Sequence, residues 1–266
     1  MTVRDAAAEM EWSHHTWYRL ERGEAPLRLI DAKAVCELLG ADPDWTDVVL
    51  FLARESKAQG WWQAYGSAVP EWFDLYLGME AAAERLRQYE PMLIPGLLQQ
   101  ASYAEAIYRT RPGVTDDHVR RAVDVRMKRQ DLLSRKRPDP PMLDVIVDEA
   151  VLRRRIPDAV AWRAQLAHLL DVSQRKRFSL RVVPATTGPH RVFIAGAFVI
   201  LDFPPIPRVK RKEPTTVYSE SLTGALYLEL EEEVAQYEQA WSQLETIALD
   251  TPQSRDLINK IIEEAR

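Results

Sequence analysis

The sequence predicts an α+β fold in two parts. A small all-α helix-turn-helix domain, with its first helix missing, precedes a larger helix-rich domain with an antiparallel or mixed sheet. Three observations carry this expectation. Residues 3–23 hold two short helical patterns around a turn, residues 143–228 hold several β-branched runs, and apolar residues at three- and four-residue spacing surround those runs.

The N-terminal pattern reads VRDAAAEMEWSHHTWYRLERG. Small Ala6, Ala7 and Ala8 mark one helix and Glu11-Trp12 a turn. Ser13 opens the second helix, because its hydroxyl accepts a hydrogen bond from an otherwise orphan amide. Trp17 and Leu20, three apart, face inward, while His14, His15, Tyr18 and Arg19 point outward. Gly23 ends the helix in the left-handed conformation. The first residues of such a second helix enter the DNA major groove. Ser13, His14, His15, Tyr18 and Arg19 are therefore the candidate DNA-binding residues, and double-stranded operator DNA is the expected partner.

Two features oppose that expectation. Only Met1 and Thr2 precede the first helix, where a complete domain of this type carries a further helix. Residues 1–55 also hold six basic against eleven acidic side chains, a net charge of −5, where a DNA-binding surface ordinarily has a basic footprint. Arg4, Arg19, Arg22 and Arg28 form the local basic cluster. Arg19 either grips guanine O6 and N7 or pairs with Asp5 or Glu9. The helix-turn-helix is thus either a DNA reader or a structural cap.

Pro26 and Leu27 lead into a helix over residues 30–39, stopped by Gly40, and Asp42-Pro43-Asp44 opens another through Ala53. Polar residues 54–60 read as a linker, giving domains over 1–55 and 61–266. In the second domain residues 70–76 and 79–88 read as helices, Pro91 and Pro95-Gly96 break the pattern, and residues 97–108 resume it. A long helix over 115–134 presents Arg120, Arg121, Arg126, Lys128 and Arg129 as a solvated face. Strands follow over 143–147, 178–183, 197–203, 215–219 and 225–228, with a helix over 158–173. The charged insert Arg208, Lys210, Arg211 and Lys212 reads as a loop. A strong helix over 231–249 and a last one capped by Thr251, with Pro252 first inside, complete the chain.

Composition narrows the function classes. At 266 residues, 46% hydrophobic and 28% charged, the chain has the profile of a globular protein with one small and one larger domain. No apolar run is long enough to span a membrane and no export leader is visible, so a cytoplasmic protein without membrane contact is expected. Cys36, the single cysteine, sits at helical spacing from Ala32 and Leu39 and reads as core. Residues 56–266 balance at 29 basic and 29 acidic side chains, which argues against general coating of nucleic acid.

No metal or cofactor is expected. His14 and His15 lie roughly 100° apart on a helix, and His118, His168 and His190 have no ligand spacing. Nucleophile-elbow, phosphate-loop and dinucleotide motifs are missing, so no catalytic residue is assigned and an enzyme is not the favoured class. Glu90, Glu149 and Glu220, with Tyr89, Tyr103 and Tyr218 nearby in sequence, compose a candidate ligand pocket. A carboxylate ringed by tyrosines suits a cationic or hydrogen-bonding small molecule; the alternative is a satisfied polar core. His190 on its loop is a further candidate for that pocket.

Several motifs recur in an order seen elsewhere: Gly60-Trp61-Trp62, Tyr89-Glu90-Pro91 through Ile94-Pro95-Gly96-Leu97-Leu98-Gln99, residues 148–154, Phe198 to Pro204, and Tyr218 with residues 222–229. Over nearly its whole length the chain resembles actinobacterial Xre-like helix-turn-helix regulators fused to a C-terminal domain of unknown function, an antitoxin-like transcriptional regulator family. The resemblance implies a homodimer that binds DNA and pairs with a small protein encoded nearby, beside developmental or antibiotic-pathway genes. It places base contacts at Ser13, His14, His15, Tyr18 and Arg19 and makes Glu21 a structural acid. His-His and Tyr depart from the small polar residues or Gln more usual there. The expected function is a transcriptional regulator whose C-terminal domain dimerises and senses a partner protein or small molecule. The alternative is a relative that has lost DNA binding and binds or transforms a small molecule in a biosynthetic pathway; a protein-binding antitoxin is a lesser third.

Overall fold

The computed structural model describes residues 2–22, 27–55, 61–205 and 213–264. Gly23, Pro26, Gly60 and the insert Arg208, Lys210, Arg211 and Lys212 lie outside the described residues, as does most of the expected linker. The chain divides into two units, Met1–Gln63 with Pro205–Glu213, and Ala64–Pro204 with Pro214–Arg266.

The first unit is helical: α1 (Val3–Glu9), α2 (His14–Glu21), α3 (Leu29–Leu38) and α4 (Pro43–Glu55). Thr2 and Asp5 form a reciprocal capping box at the start of α1. The helix ends in a Schellman-type closure, in which the amide of Trp12 reaches the Ala7 carbonyl (2.8 Å) and that of Glu11 the Ala8 carbonyl (3.0 Å). This closure puts Glu11 in the left-handed region at φ 55°. An equivalent closure ends α3, where Gly40 takes φ 66° at no steric cost. Ala6, Ala7 and Trp17 are buried against Met10, Trp12, Val35 and Leu38, so α1, α2 and α3 share one small core. Cys36 is buried and free, and Leu20 is only half-buried.

The second unit is built on a six-stranded mixed sheet. Its strands are β1 (Arg85–Glu90), β2 (Met142–Asp148), β3 (Phe178–Val183), β4 (Phe198–Asp202), β5 (Thr216–Ser221) and β6 (Gly224–Leu228). The spatial order is β3-β2-β1-β4-β5-β6. β3, β2 and β1 run parallel, and the other three pairings are antiparallel. Helices α5 (Glu71–Ala82), α6 (Ala101–Tyr108), α7 (Asp116–Arg129), α8 (Glu149–Arg153), α9 (Ala159–Val172), α10 (Glu231–Ile247) and α11 (Thr251–Glu263) surround it. One face buries Leu86, Val145, Leu180, Val199 and Leu201 under Tyr76, Trp162, Leu166 and Ile258. The other buries Tyr89, Ile146, Phe198, Ile200 and Val217 under Trp241 and Leu244. Both faces are covered, as the continuous apolar runs of β2 and β4 require.

Three expectations are corrected. Residues 85–88, read as the end of a helix, belong to β1 at the centre of the sheet. The Arg, Leu, Gln and Glu of β1 are good helix formers, but its arginines find partners on neighbouring strands and on α10. Arg85 meets Asp144 at 2.8 Å, and Arg87 meets Asp202 at 3.1 Å and Glu238 at 2.8 Å. Arg129, read as exposed, is buried, because it falls on the stripe Val119, Ala122, Val125 that faces the core. The last helix is capped by Asp250, not Thr251. The Asp250 carboxylate accepts from the Gln253 amide (2.8 Å), and the Gln253 side chain accepts from the Asp250 amide (3.1 Å). Among the described residues no helix is long and apolar enough to cross a membrane.

Candidate recognition helix and ligand cavity

α2 is held from beneath by its own sequence. The Ser13 hydroxyl accepts from the Thr16 amide at 3.0 Å, setting the first turn. Trp17 turns inward against Trp12, ring centroids 5.7 Å apart, and its indole N–H donates to Glu21 at 2.8 Å. With Trp17 fixed, the opposite face is set: Ser13, His14, His15, Tyr18 and Arg19 are all exposed. Arg22 packs over the Tyr18 ring at 5.1 Å, extending the cationic edge by one turn. Arg28 is tied to Asp31 through two bonds of 2.6 and 2.9 Å, and it is raised further above its usual range by that carboxylate.

The second unit contains a cavity of about 220 Å³ at the C-terminal end of β1. Sheet register explains what reaches it. Gln88, Val199 and Tyr218 lie in one row across β1, β4 and β5. Two residues further along β1 and β5 come Glu90 and Glu220, on the same face by the alternation of strand side chains. α5 supplies an aromatic wall, where Phe73 stacks on Tyr76 (5.2 Å) and Tyr76 on Tyr218 (4.1 Å). α7 supplies His118, Val125, Arg126 and Arg129.

The cavity's charges differ in how they are used. Arg129 is 7% exposed and pairs bidentately with Glu80 at 2.6 and 2.7 Å, while its guanidinium lies 5.2 Å from both the Phe73 and Tyr76 ring centres. Burial works against its charge, and the Glu80 charge and hydrogen bonds outweigh that and keep it protonated. Arg126 donates through Nε (3.2 Å) and Nη2 (2.8 Å) to the Tyr108 hydroxyl. Its Nη1 lies against the Gly96 backbone, where a Cβ would collide with it. The segment carrying Gly96 is pinned by buried Gln165, which donates to the Leu98 carbonyl (2.8 Å) and accepts from the Gln100 amide (2.6 Å). Glu90 accepts from Gln88 Nε2 at 3.2 Å, and Tyr218 Oη donates to Glu220 at 3.0 Å. Burial pushes the Glu90 carboxyl up to about 7, with the Glu220 charge adding to the rise and Gln88, Arg126 and Arg129 opposing it. Burial and the Glu220 charge likewise hold the Tyr218 phenol protonated.

Of the seven residues the sequence suggested for a pocket, the structure brings Glu90, Tyr218 and Glu220 to one cavity. Tyr89 points to the opposite face of the sheet from its neighbour Glu90, into the core with Phe198 and Val192. His190 lies beside Tyr89 and stacks on Phe193 at 4.0 Å; burial lowers its pKa. Tyr103 is buried in the first core and accepts from the Ile94 amide at 3.4 Å. Glu149 accepts from Arg153 Nε (2.6 Å) and from the Ala185 amide (2.9 Å). The sequence reading missed Gln88, Tyr108, Arg126 and the α5 aromatics. A signal for the arginines was present, since Arg126 and Arg129 lie at helical spacing from Ala122 on the apolar side of α7. Among the described residues no His, Cys, Asp or Glu cluster could hold a metal ion.

Comparison with known families accounts for most of the chain. A helix-turn-helix domain matches residues 1–48, spanning α1, α2 and α3. No curated protein and no solved structure matches the chain. A second family, described as a domain of unknown function (DUF5753), matches residues 73–260, which take in the whole sheet and most of the cavity lining. The chain therefore belongs to the DUF5753 family and carries a helix-turn-helix domain at its N-terminus.

Proposed function

We propose that the protein is a cytoplasmic, DNA-binding transcriptional regulator. Residues 1–55 read operator DNA through Ser13, His14, His15, Tyr18 and Arg19, and residues 61–266 dimerise and sense a small molecule in the cavity beside Glu90. The observation that carries this reading is the exposed face of α2, fixed by burial of Trp17 and the Trp17–Glu21 bond in a matched helix-turn-helix domain. A homodimer fits, since helix-turn-helix proteins bind paired half-sites about one DNA turn apart.

The test is competition between DNA from upstream of the coding sequence and a scrambled duplex, read by fluorescence anisotropy. The regulator prefers its own upstream DNA, and Arg19→Ala loses that preference, about 1–3 kcal/mol of discrimination for a bidentate guanine contact. Equal binding of both duplexes by folded protein would overturn the reading. It would favour the acidic first unit as a structural cap on a small-molecule-binding or antitoxin-like protein.

A further inference from the structure

The cavity's charge inventory is mixed in sign and incompletely paired. Among the described residues neither Glu90 nor Glu220 makes an ion pair; their bonds are the neutral ones from Gln88 and Tyr218. Arg126 makes no ion pair among the described residues either, and its Nη1 makes no hydrogen bond there. Arg129 differs, since Glu80 takes its Nε and Nη2 in a buried ion pair and two aromatic rings lie beside its guanidinium, so it serves as wall. Arg111 and His118 also line the cavity, and Phe73, Val125, Phe198 and Val199 give it an apolar part.

We infer that this cavity binds a small zwitterion with a compact apolar body, of the α-amino-acid class, its ammonium on Glu90 and Glu220 and its carboxylate on Arg126. The inference rests on the reading that this domain senses a small molecule and specifies which kind. Other classes fit worse. A simple anion would meet two carboxylates, and a simple cation would meet Arg126 and Arg129 in a box whose Phe73 and Tyr76 faces already hold a guanidinium. A purely apolar ligand would strip water from Glu90 and Arg126 without replacing it, which costs several kcal/mol per charge in a poorly polar site. Size agrees, because about 220 Å³ lies below the range of roughly 300–1,000 Å³ that takes drug-sized ligands. Glu90 and Glu220 sit on strands separated by β4, roughly 10 Å apart along the sheet. Both line the same cavity, Glu90 half-buried and Glu220 exposed, so an ammonium group paired with Glu90 lies in the field of Glu220.

The experiment is calorimetric titration of the full-length protein with L-phenylalanine, L-leucine and L-tryptophan. Phenethylamine, isoamylamine and tryptamine, which lack the carboxylate, and 3-phenylpropionate, 4-methylpentanoate and 3-indolepropionate, which lack the ammonium, are titrated in parallel. At least one amino acid binds ten-fold or more tightly than its truncated analogues. Arg126→Gln then loses the preference for amino acid over amine, and Glu90→Gln the preference for amino acid over acid. Gly96→Ala, which displaces Arg126 without altering its charge, reproduces the Arg126→Gln result. Equal binding of an amine or acid and its parent amino acid would overturn the inference. So would no binding of any of these probes by protein whose circular dichroism is that of the folded chain. Upstream-DNA binding is measured on the same samples. Selective DNA binding without amino-acid binding removes the ligand class alone, and amino-acid binding without DNA selectivity removes the regulator alone.

Discussion

Two residues occupy positions their chemistry resists, and each yields a prediction. Glu11 closes α1 in the left-handed region, where a side chain costs roughly 1 kcal/mol and glycine costs nothing. Glu11→Gly is expected to leave the fold intact and raise stability by up to about 1 kcal/mol in urea titration. Glu90 is held with its carboxyl near 7 by burial, against 4.5 for an ordinary glutamate. A raised carboxyl binds more protons in the folded than in the unfolded chain between those values. Glu90 therefore makes stability fall as pH rises from about 4.5 to about 7, with the penalty complete above the latter. Glu220, Arg126, Arg129, His118 and Gln88 surround it and are common to wild type and variant. Glu90→Gln is expected to flatten that part of the stability–pH curve, and an unchanged curve would show that Glu90 is solvated.

At the scale of elements, α5 and α7 are joined through one buried ion pair. Arg129→Met leaves Glu80 charged at 2% exposure with only Tyr76 Oη bonded to it, and is expected to destabilise by about 3–5 kcal/mol. Adding Glu80→Met removes the orphaned charge and should recover most of that loss, which a double-mutant cycle measures. Elements whose own pattern matches their environment were legible in the sequence: α3, α9, α10, β3 and β4 fall where periodicity places them. β1 was hidden because its partners Asp144, Asp202 and Glu238 come from distant parts of the chain, and helix propensity dominates a window that omits them. The cavity was half legible for the same reason. Glutamates and tyrosines close together in sequence marked Glu90, Tyr218 and Glu220, while strand alternation separates Tyr89 from Glu90 and sends it to the other face of the sheet. The α5 and α7 side chains join them only through packing.

At the scale of the whole molecule, charge and proposed function pull in opposite directions. The first 55 residues carry the chain's entire net charge of −5, and Arg28 is already neutralised by Asp31. A regulator of this kind cannot rely on phosphate neutralisation, and its affinity must come from contacts in the groove. With Arg4, Arg19, Arg22 and Arg28 as the basic cluster, the slope of log affinity against log salt should be no steeper than about −4 per protomer. The salt series on upstream DNA against a scrambled duplex, comparing wild type with Arg19→Ala, tests the central claim most directly. The account predicts a shallow slope, a preference for the upstream DNA that persists at every salt concentration, and loss of that preference in the variant. A preference that vanishes at moderate salt, or one that Arg19→Ala leaves unchanged, would contradict base reading by α2.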